Sequence, residues 1–500
     1  MRILYLDLDT TRPDHLGCYG YLRDTSPNID KIAELGVRFN NYYCSDAPCL
    51  PSRTAMMSGR FGFHTGVIGH GGTCADYRLE HGNRRFISGQ ARTALPSFLK
   101  QQGFYTTYIG GFGERHSIFN YYAGFREIYD TGKGGAESAE DVTPTVLDWI
   151  ERNASKENWY LHVNYWDPHT PFRAPEEFGN PFENEPIEDW YTQELIDEHK
   201  KLAGPHTIQD IGMYDGNSID RWPRHVGQIN NMEDMKRHVD GYDCGINYMD
   251  GHIGQLFEAF AKQGVPMEDL AIIISADHGE NQGEMGIYAE HGSSDYATCR
   301  IPMIVKWPDC KAGHVDDGLH YNLDLAPTLA SLLGADVPDW DGKTWWDGES
   351  YSNAIVEGTD CGHEFIVISQ GAHVCQRGVR WDDWMYMRTF HDGYHPFYKD
   401  EMLYNLKDDP HELNEISEDN PEIVKQGASF LAEWTAKMKA TNPDGYGDED
   451  PMDIVLKEHP EHAMPHHLEG YLPRLEATGR ADGAAELRKT NGFRVKEMPK

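Results

Sequence analysis

The chain has 500 residues and carries 45 Lys plus Arg against 81 Asp plus Glu, a formal charge of −36 that excludes a nucleic-acid binder working by bulk charge. Hydrophobic residues make up 39% and charged residues 25%, enough apolar material for a real core and unlike a disordered chain. The length allows two or three domains of about 150 residues, while apolar stretches such as Leu270 to Ile274 fall far short of the ~20 residues of a membrane-spanning helix.

Met1 to Leu6 runs straight into Asp7 without the apolar stretch and cleavage site of a secretory signal, so a cytoplasmic protein without a membrane partner is expected. Nine scattered cysteines, an odd number, predict reduced thiols rather than a disulfide framework. Ile3 to Leu8 reads as a buried strand. Ser26 as N-cap, Pro27 at the first helical position and Gly36 past the end spell a helix. Leu95 to Gln102 reads as a helix, Tyr105 to Ile109 as a strand, Val146 to Ile150 as a helix and Trp159 to Asn164 as a strand. From Val239, the residues Tyr242, Ile246, Met249, Ile253, Leu256, Phe257 and Phe260 recur every three or four positions, predicting a long amphipathic helix capped by Gly264.

Leu270 to Ser275 and Met303 to Trp307 are nearly all-apolar runs between helices, which suits a parallel sheet covered on both faces, with Asn322 to Leu333 as a further covering helix. Beyond residue 360 the segments shorten. Phe365 to Ser369, Val374 to Trp381 and Trp384 to Phe390 look like antiparallel strands, followed by a helix over Ile423 to Met438. The expected architecture is α/β: a large mixed, mostly parallel sheet sandwiched by helices over residues 1–360. A smaller α+β domain with an antiparallel sheet follows over 361–500, and its tail, with His466 and His467, is a candidate cover for the active site. The acidic stretch Asp444 to Asp450 reads as solvated surface.

In open α/β sheets the site lies beyond the carboxyl ends of the strands. Asp7 and Asp9 end the first strand on one face, because side chains alternate, and Asp277-His278 follow the run at 270–275. Carboxylates and an imidazole converging from two strand ends form a plausible divalent-metal site. A third cluster, Cys49-Leu50-Pro51-Ser52-Arg53, fits Cys-x-Pro-Ser-Arg.

With Asp9 upstream and Asp277-His278 downstream, this pattern resembles the signature of the type I, formylglycine-dependent sulfatase family of the alkaline phosphatase superfamily. Arg12 to Gly20 is similar to the family's N-terminal segment, Trp166-Asp167-Pro168-His169-Thr170-Pro171 to its Pro-His-Thr-Pro stretch, and Ile301 to Val305 to the strand after its metal pair. Asp324 to Thr328 and Leu403 to Leu406, with Asp409, Pro410 and Glu412, look like its late markers, so the resemblance covers residues 1 to about 415.

The resemblance implies that Cys49 is converted to formylglycine by a maturation enzyme. The hydrated aldehyde attacks sulfur in line and displaces the substrate alcohol, and deprotonation of its second hydroxyl then expels sulfate and restores the aldehyde. Arg53 would hold that residue and neutralise oxyanion charge, while Asp9, Asp277 and His278, with Asp7 as a further candidate, would ligate one Ca²⁺-like ion. His169 would face the sulfate or the leaving oxygen.

The chain departs from the family where Asp9-Thr10 stands for adjacent aspartates. It departs again where Gly110 to His116 replaces a Lys-Trp-His segment, leaving Arg115 and His116 as the candidate cationic and acid/base groups. A later family lysine falls near Glu290-His291, where His291 could do a comparable job.

The expected substrate is a small sulfated carbohydrate, such as a fragment of a glycosaminoglycan, because the net charge opposes a polyanion. Trp166, Tyr121 and Tyr122 are candidates to stack on sugar faces, and the loop His70 to Arg85 to shape the pocket. Competing readings are an aryl or steroid sulfatase, a phosphonate monoester or phosphate hydrolase of the same superfamily with His291 in a second metal site, and a non-catalytic anion- or glycan-binding protein with unmodified Cys49.

Overall fold

The computed structural model describes residues 1–78, 90–212, 222–340, 343–443, 447–463 and 465–496. Strand Arg2–Leu8 occupies an interior position of an eight-stranded sheet, flanked in parallel by Trp159–Tyr165 and Ala271–Ser275. Its alternation sorts the core into two layers. Leu4, Leu6 and Leu8 pack on one face with helices Ala139–Asn153 and Met232–Lys262, whereas Ile3 and Tyr5 pack on the other with Leu95–Gln101 and Leu325–Leu332. Both faces are thus covered by helices, as continuous apolar strands require.

Outward from Trp159–Tyr165 the sheet continues through Tyr105–Ile109 and Glu127–Tyr129, all parallel. On the other side Met303–Lys306 runs antiparallel to Ala271–Ser275 and to Val37–Tyr43, and Val315–Tyr321 closes that edge parallel to Val37–Tyr43. A single reversed strand makes the sheet mixed. The long helix begins seven residues before Val239, at Met232, because Asn231 caps it by accepting from the Asp234 amide. All nine cysteines are free, and no helix among the described residues is long and apolar enough to cross a membrane.

The second sheet holds the antiparallel strands Ile366–Gln370, Cys375–Trp381, Trp384–His391 and Glu401–Asn405, backed by helix Pro421–Ala440 through Trp434 and Met438. Its fifth strand comes from far upstream. Asp46–Ala47 adds in parallel to Ile366–Gln370, so the segment leading into Cys49 is built into the C-terminal sheet.

The acidic stretch expected to be solvated contains Asp450, which is buried in a two-bond pair with Arg377 at 2.7 Å each; residues 444–446 lie outside the described residues. Helices Pro465–Ala477 and Ala481–Lys496 pack back on the body around Leu468, Leu475, Leu487 and Ala203. Buried Asp210 ties them down. It accepts from Arg474 at 2.5 Å, Arg480 at 2.6 Å and Tyr471 at 2.7 Å. Burial opposes its charge, but these donors hold its carboxyl below the usual range. Its contribution is therefore complete above the unfolded value near 4 and is lost as pH falls through the lowered folded value. Asp210→Ala leaves Arg480 buried without its counter-charge and is expected to cost about 3 kcal/mol of stability at neutral pH. Thermal melts and limited proteolysis of the segment after residue 458 would read the loosened tail.

Candidate active site

The site lies beyond the carboxyl ends of four neighbouring strands of the large sheet. Asp9 leaves Arg2–Leu8 and Asp277 leaves Ala271–Ser275, and between them Thr10 adopts a left-handed backbone at φ 54°. That conformation costs a β-branched residue about 1–2 kcal/mol. It is held because the Thr10 amide donates to Asp277 Oδ1 at 3.2 Å while its carbonyl accepts from Tyr242 on the long helix at 2.6 Å.

Cys49 is the first residue of helix Cys49–Ser58, every residue of which is buried. The helix is pinned to the acidic loop by Ser52, whose hydroxyl donates to the Asp277 carbonyl at 2.5 Å and accepts from Asn322 at 3.0 Å.

Arg53, 1% exposed, faces three carboxylates. It donates through Nη2 to Asp9 at 2.7 Å and through Nε to Asp277 at 3.0 Å, and Nη1 pairs with Asp7. Asp7 also meets His162 Nε2 at 3.0 Å, and the Arg53 guanidinium lies over Phe112 at 4.7 Å. Donor atoms of Asp9, Cys49, Asp277 and His278 all lie within 4.8 Å of one another.

His278 Nδ1 donates to the Gly279 carbonyl at 2.8 Å, which fixes the tautomer and turns the Nε2 lone pair toward Cys49 Sγ, 3.0 Å away. Burial and the charges of Asp9 and Asp277 push the Cys49 thiol up, away from the thiolate. Asp277 stays ionised beside Arg53. Asp9 is raised by burial and by its neighbour Asp277, and its Oδ1 has no hydrogen-bond partner. Two buried carboxylates, one with an unsatisfied oxygen, and one imidazole lone pair converging on one point suit a divalent cation.

Around this centre stand the remaining expected residues. His169 Nδ1 donates to the Thr170 carbonyl, leaving Nε2 3.9 Å from Asp9 Oδ1. His291 packs 4.2 Å from the His278 ring and 5.4 Å from His169. His116 lies 4.9 Å from His70, and burial with Arg115 pushes its pKa down to about 3. Arg115 is exposed and lies over the Trp166 ring at 5.4 Å.

Trp166 and Tyr121 are buried, so they are packing residues and not platforms for a sugar; Tyr122 is half-buried. Residues 79–85 of the loop expected to shape the pocket lie outside the described residues. Arg173 escaped the sequence reading. It is buried against Trp166 at 5.3 Å and donates to the Trp166 and His169 carbonyls at 2.6 and 3.3 Å, bracing the turn that carries His169. Its place two residues after the Pro-His-Thr-Pro stretch was the available signal. His70, the first residue of the loop expected to shape the pocket, lies 3.5 Å from the Leu50 amide.

The model of the sulfatase family matches residues 2–335, two thirds of the chain. The chain belongs to the sulfatase family. With that family it is a sulfuric ester hydrolase, and residues 283–437 additionally match the C-terminal model of N-sulphoglucosamine sulphohydrolase. It is 24% identical over 458 residues to choline-sulfatase of Rhizobium meliloti, covering 81% of this chain and 80% of that one. It is 26% identical over 413 residues to iduronate 2-sulfatase of Mus musculus, covering 68% and 69%. Among solved structures, it shares a fold with a protein in complex with its substrate D-glucosamine-2-N,6-O-disulfate. That match has a TM-score of 0.66 at 17% identity and covers 89% of this chain and 99% of that one.

Replacing Arg53 by Met strands three buried carboxylates, so a loss of about 3–5 kcal/mol is expected in metal-free protein at neutral pH. The deficit should shrink only as pH falls below the unfolded carboxylate value near 4, where acid removes the ionised form of Asp277 that Arg53 stabilises. Denaturant titrations of both proteins at pH 7 and at about pH 3 would measure it.

Proposed function

We propose that the protein hydrolyses the sulfate ester of a small sulfated carbohydrate. Residue 49, converted from cysteine to formylglycine by a maturation enzyme, is the nucleophile, and Asp9, Asp277 and His278 hold one Ca²⁺-like ion. Asp7, by contrast, is committed to Arg53 and His162 and acts by holding the guanidinium. The observation that carries the reading is the meeting of Cys49 Sγ with His278 Nε2 at 3.0 Å inside the Asp9–Asp277 cluster. The ion, when bound, supplies positive charge to the sulfate oxygens and to the nucleophile.

The chain's own groups do the rest. Residue 49 sits at the N-terminus of its helix, where the helix dipole favours a developing anion. Arg53 keeps the acidic cluster together, and Arg115, exposed above Trp166, is the cation in reach of an incoming sulfate. His169 Nδ1 is committed to Thr170, so Nε2, which has no hydrogen-bond partner, is the atom that takes up a proton from water and passes it to the departing oxygen, although burial and the charges of Arg173 and Arg115 hold its pKa down. His291 and His116 line the same space from two other segments.

Two observations support a small carbohydrate. The named substrates of relatives include a sulfated glucosamine, and the net charge of −36 opposes a long polyanion. His462, on the tail, packs 6.1 Å from His70, so the site mouth is bounded by the segment that begins at residue 447. Residues 1–360 would then be the catalytic unit and 361–500 the part that narrows access.

Peptide mass spectrometry of residue 49 from a host with the maturation machinery tests the nucleophile. An aldehyde in place of the thiol is expected, and Cys49→Ala should lower kcat at least about 10³-fold. An unmodified thiol in fully active enzyme would refute it. His169→Ala is expected to lower kcat/KM on sulfated sugars by about 10²–10⁴-fold, and far less on aryl sulfates, whose phenol leaving groups need little protonation. Equal losses on both classes would remove His169 from that role.

A further inference from the structure

Beside the sulfate-ester site lies a second group of buried donors. Glu290 ends strand Tyr288–Glu290, which pairs with Asn281–Gln282, and His291 follows it; His373 precedes strand Cys375–Trp381 of the other sheet. Glu290 Oε1 stands 3.2 Å from His291 Nε2 and 3.4 Å from His373 Nε2. All three residues are buried, and their donor atoms lie within 4.8 Å of one another.

We propose that Glu290, His291 and His373 form a second metal site, selective for a divalent transition ion of the zinc class. This inference does not depend on the sulfatase reading.

Ligands at ~2.0–2.1 Å from a tetrahedral zinc are ~3.3 Å apart. The two separations from Oε1, 3.2 and 3.4 Å, bracket that edge length. Two imidazole nitrogens and one carboxylate oxygen make a borderline donor set, suited to Zn²⁺, Fe²⁺ or Co²⁺. Ca²⁺ takes 6–8 oxygens and is better served by the Asp9 and Asp277 pair.

The donors are also held. Glu290 Oε2 faces His206 Nε2 at 3.2 Å, Oε1 accepts from the His291 amide at 2.9 Å, and the His373 ring stacks on His462 at 4.2 Å and 7°. Partners of this kind orient ligands in metal sites. A small cavity lined by His206, Glu290, Gly292, His373, His395 and His462 borders two of the donors, Glu290 and His373. Because His291 also packs 4.2 Å from His278, an ion here lies one imidazole away from the first site.

The test titrates Ca²⁺-saturated full-length protein with Zn²⁺ by calorimetry, with elemental analysis of the product. One Zn²⁺ per chain is expected beyond the Ca²⁺. Glu290→Gln and His373→Ala should each weaken it at least about 100-fold and His206→Ala about tenfold, whereas Cys49→Ala should retain it. X-ray absorption at the zinc edge of the wild-type complex should show only nitrogen and oxygen neighbours. That measurement decides the matter alone if a variant fails to fold. A sulfur neighbour would assign the ion to Cys49 with His278 and overturn the proposal. So would no Zn²⁺ uptake by the Ca²⁺-saturated protein, or undiminished binding in both ligand variants. Each readout is metal binding and not turnover, so loss of the sulfatase reading would leave it standing.

Discussion

A guanidinium buried among three carboxylates sets the charge of this protein's centre. Asp7, Asp9 and Asp277 carry −3 when ionised and Arg53 carries +1, so the cluster sums to −2 inside a nearly solvent-free volume. Buried charge must be balanced or neutralised. Without an ion, the balance is reached partly by raising Asp9, which stands against Asp277. A divalent cation brings the same cluster to zero without a proton. The arginine leaves room for one ion of charge two and opposes a second at the same spot.

That centre is assembled by elements with no local reason to meet. Strand Arg2–Leu8 sends Ile3 and Tyr5 into one core and Leu4, Leu6 and Leu8 into the other, so its end is fixed in three dimensions before any polar contact forms. Ser52 then spans from the cysteine helix to the Asp277 carbonyl, and Asn322 closes the triangle. The histidines arrive from segments rooted in different sheets and the tail: His169 after a strand of the first, His291 after a separate two-stranded ribbon, His373 beside the second, His462 on the C-terminal arm. The catalytic region is therefore a seam between sheets and not a property of the large sheet alone.

Much of this was legible in the sequence because it is local. An apolar run followed by acidic residues marks a strand and its end, and the 3.6-residue period from Val239 marks the long helix. Strands Val37–Tyr43 and Val315–Tyr321 were missed because Asn40, Asn41, Asp316 and Asp317 break any apolar run, as positions toward an edge allow. The five-residue motif Cys49 to Arg53, with Asp9 and Asp277-His278, carried the family resemblance, yet nothing in it announced that Asp46–Ala47 would pair with Ile366–Gln370. Glu290 and His373 are 83 positions apart, and His206 is 84 positions before Glu290, so their meeting was invisible to spacing. The expected sugar-stacking role of Trp166 failed for a related reason, since an aromatic beside a catalytic motif fills the space under it as readily as the space above.

The helix that starts at Cys49 is sealed on every side, and residue 49 itself is 1% exposed. An enzyme that alters a side chain must first reach it and the backbone around it. No such access is available on a buried helix whose preceding strand pairs with a strand some 320 residues later. The proposed conversion of residue 49 by another protein would therefore belong to the interval of synthesis before the second sheet closes. On that reading a folded chain that missed this interval would have to unfold to be corrected, so biosynthetic timing, as much as sequence, would decide what stands at the centre of the molecule.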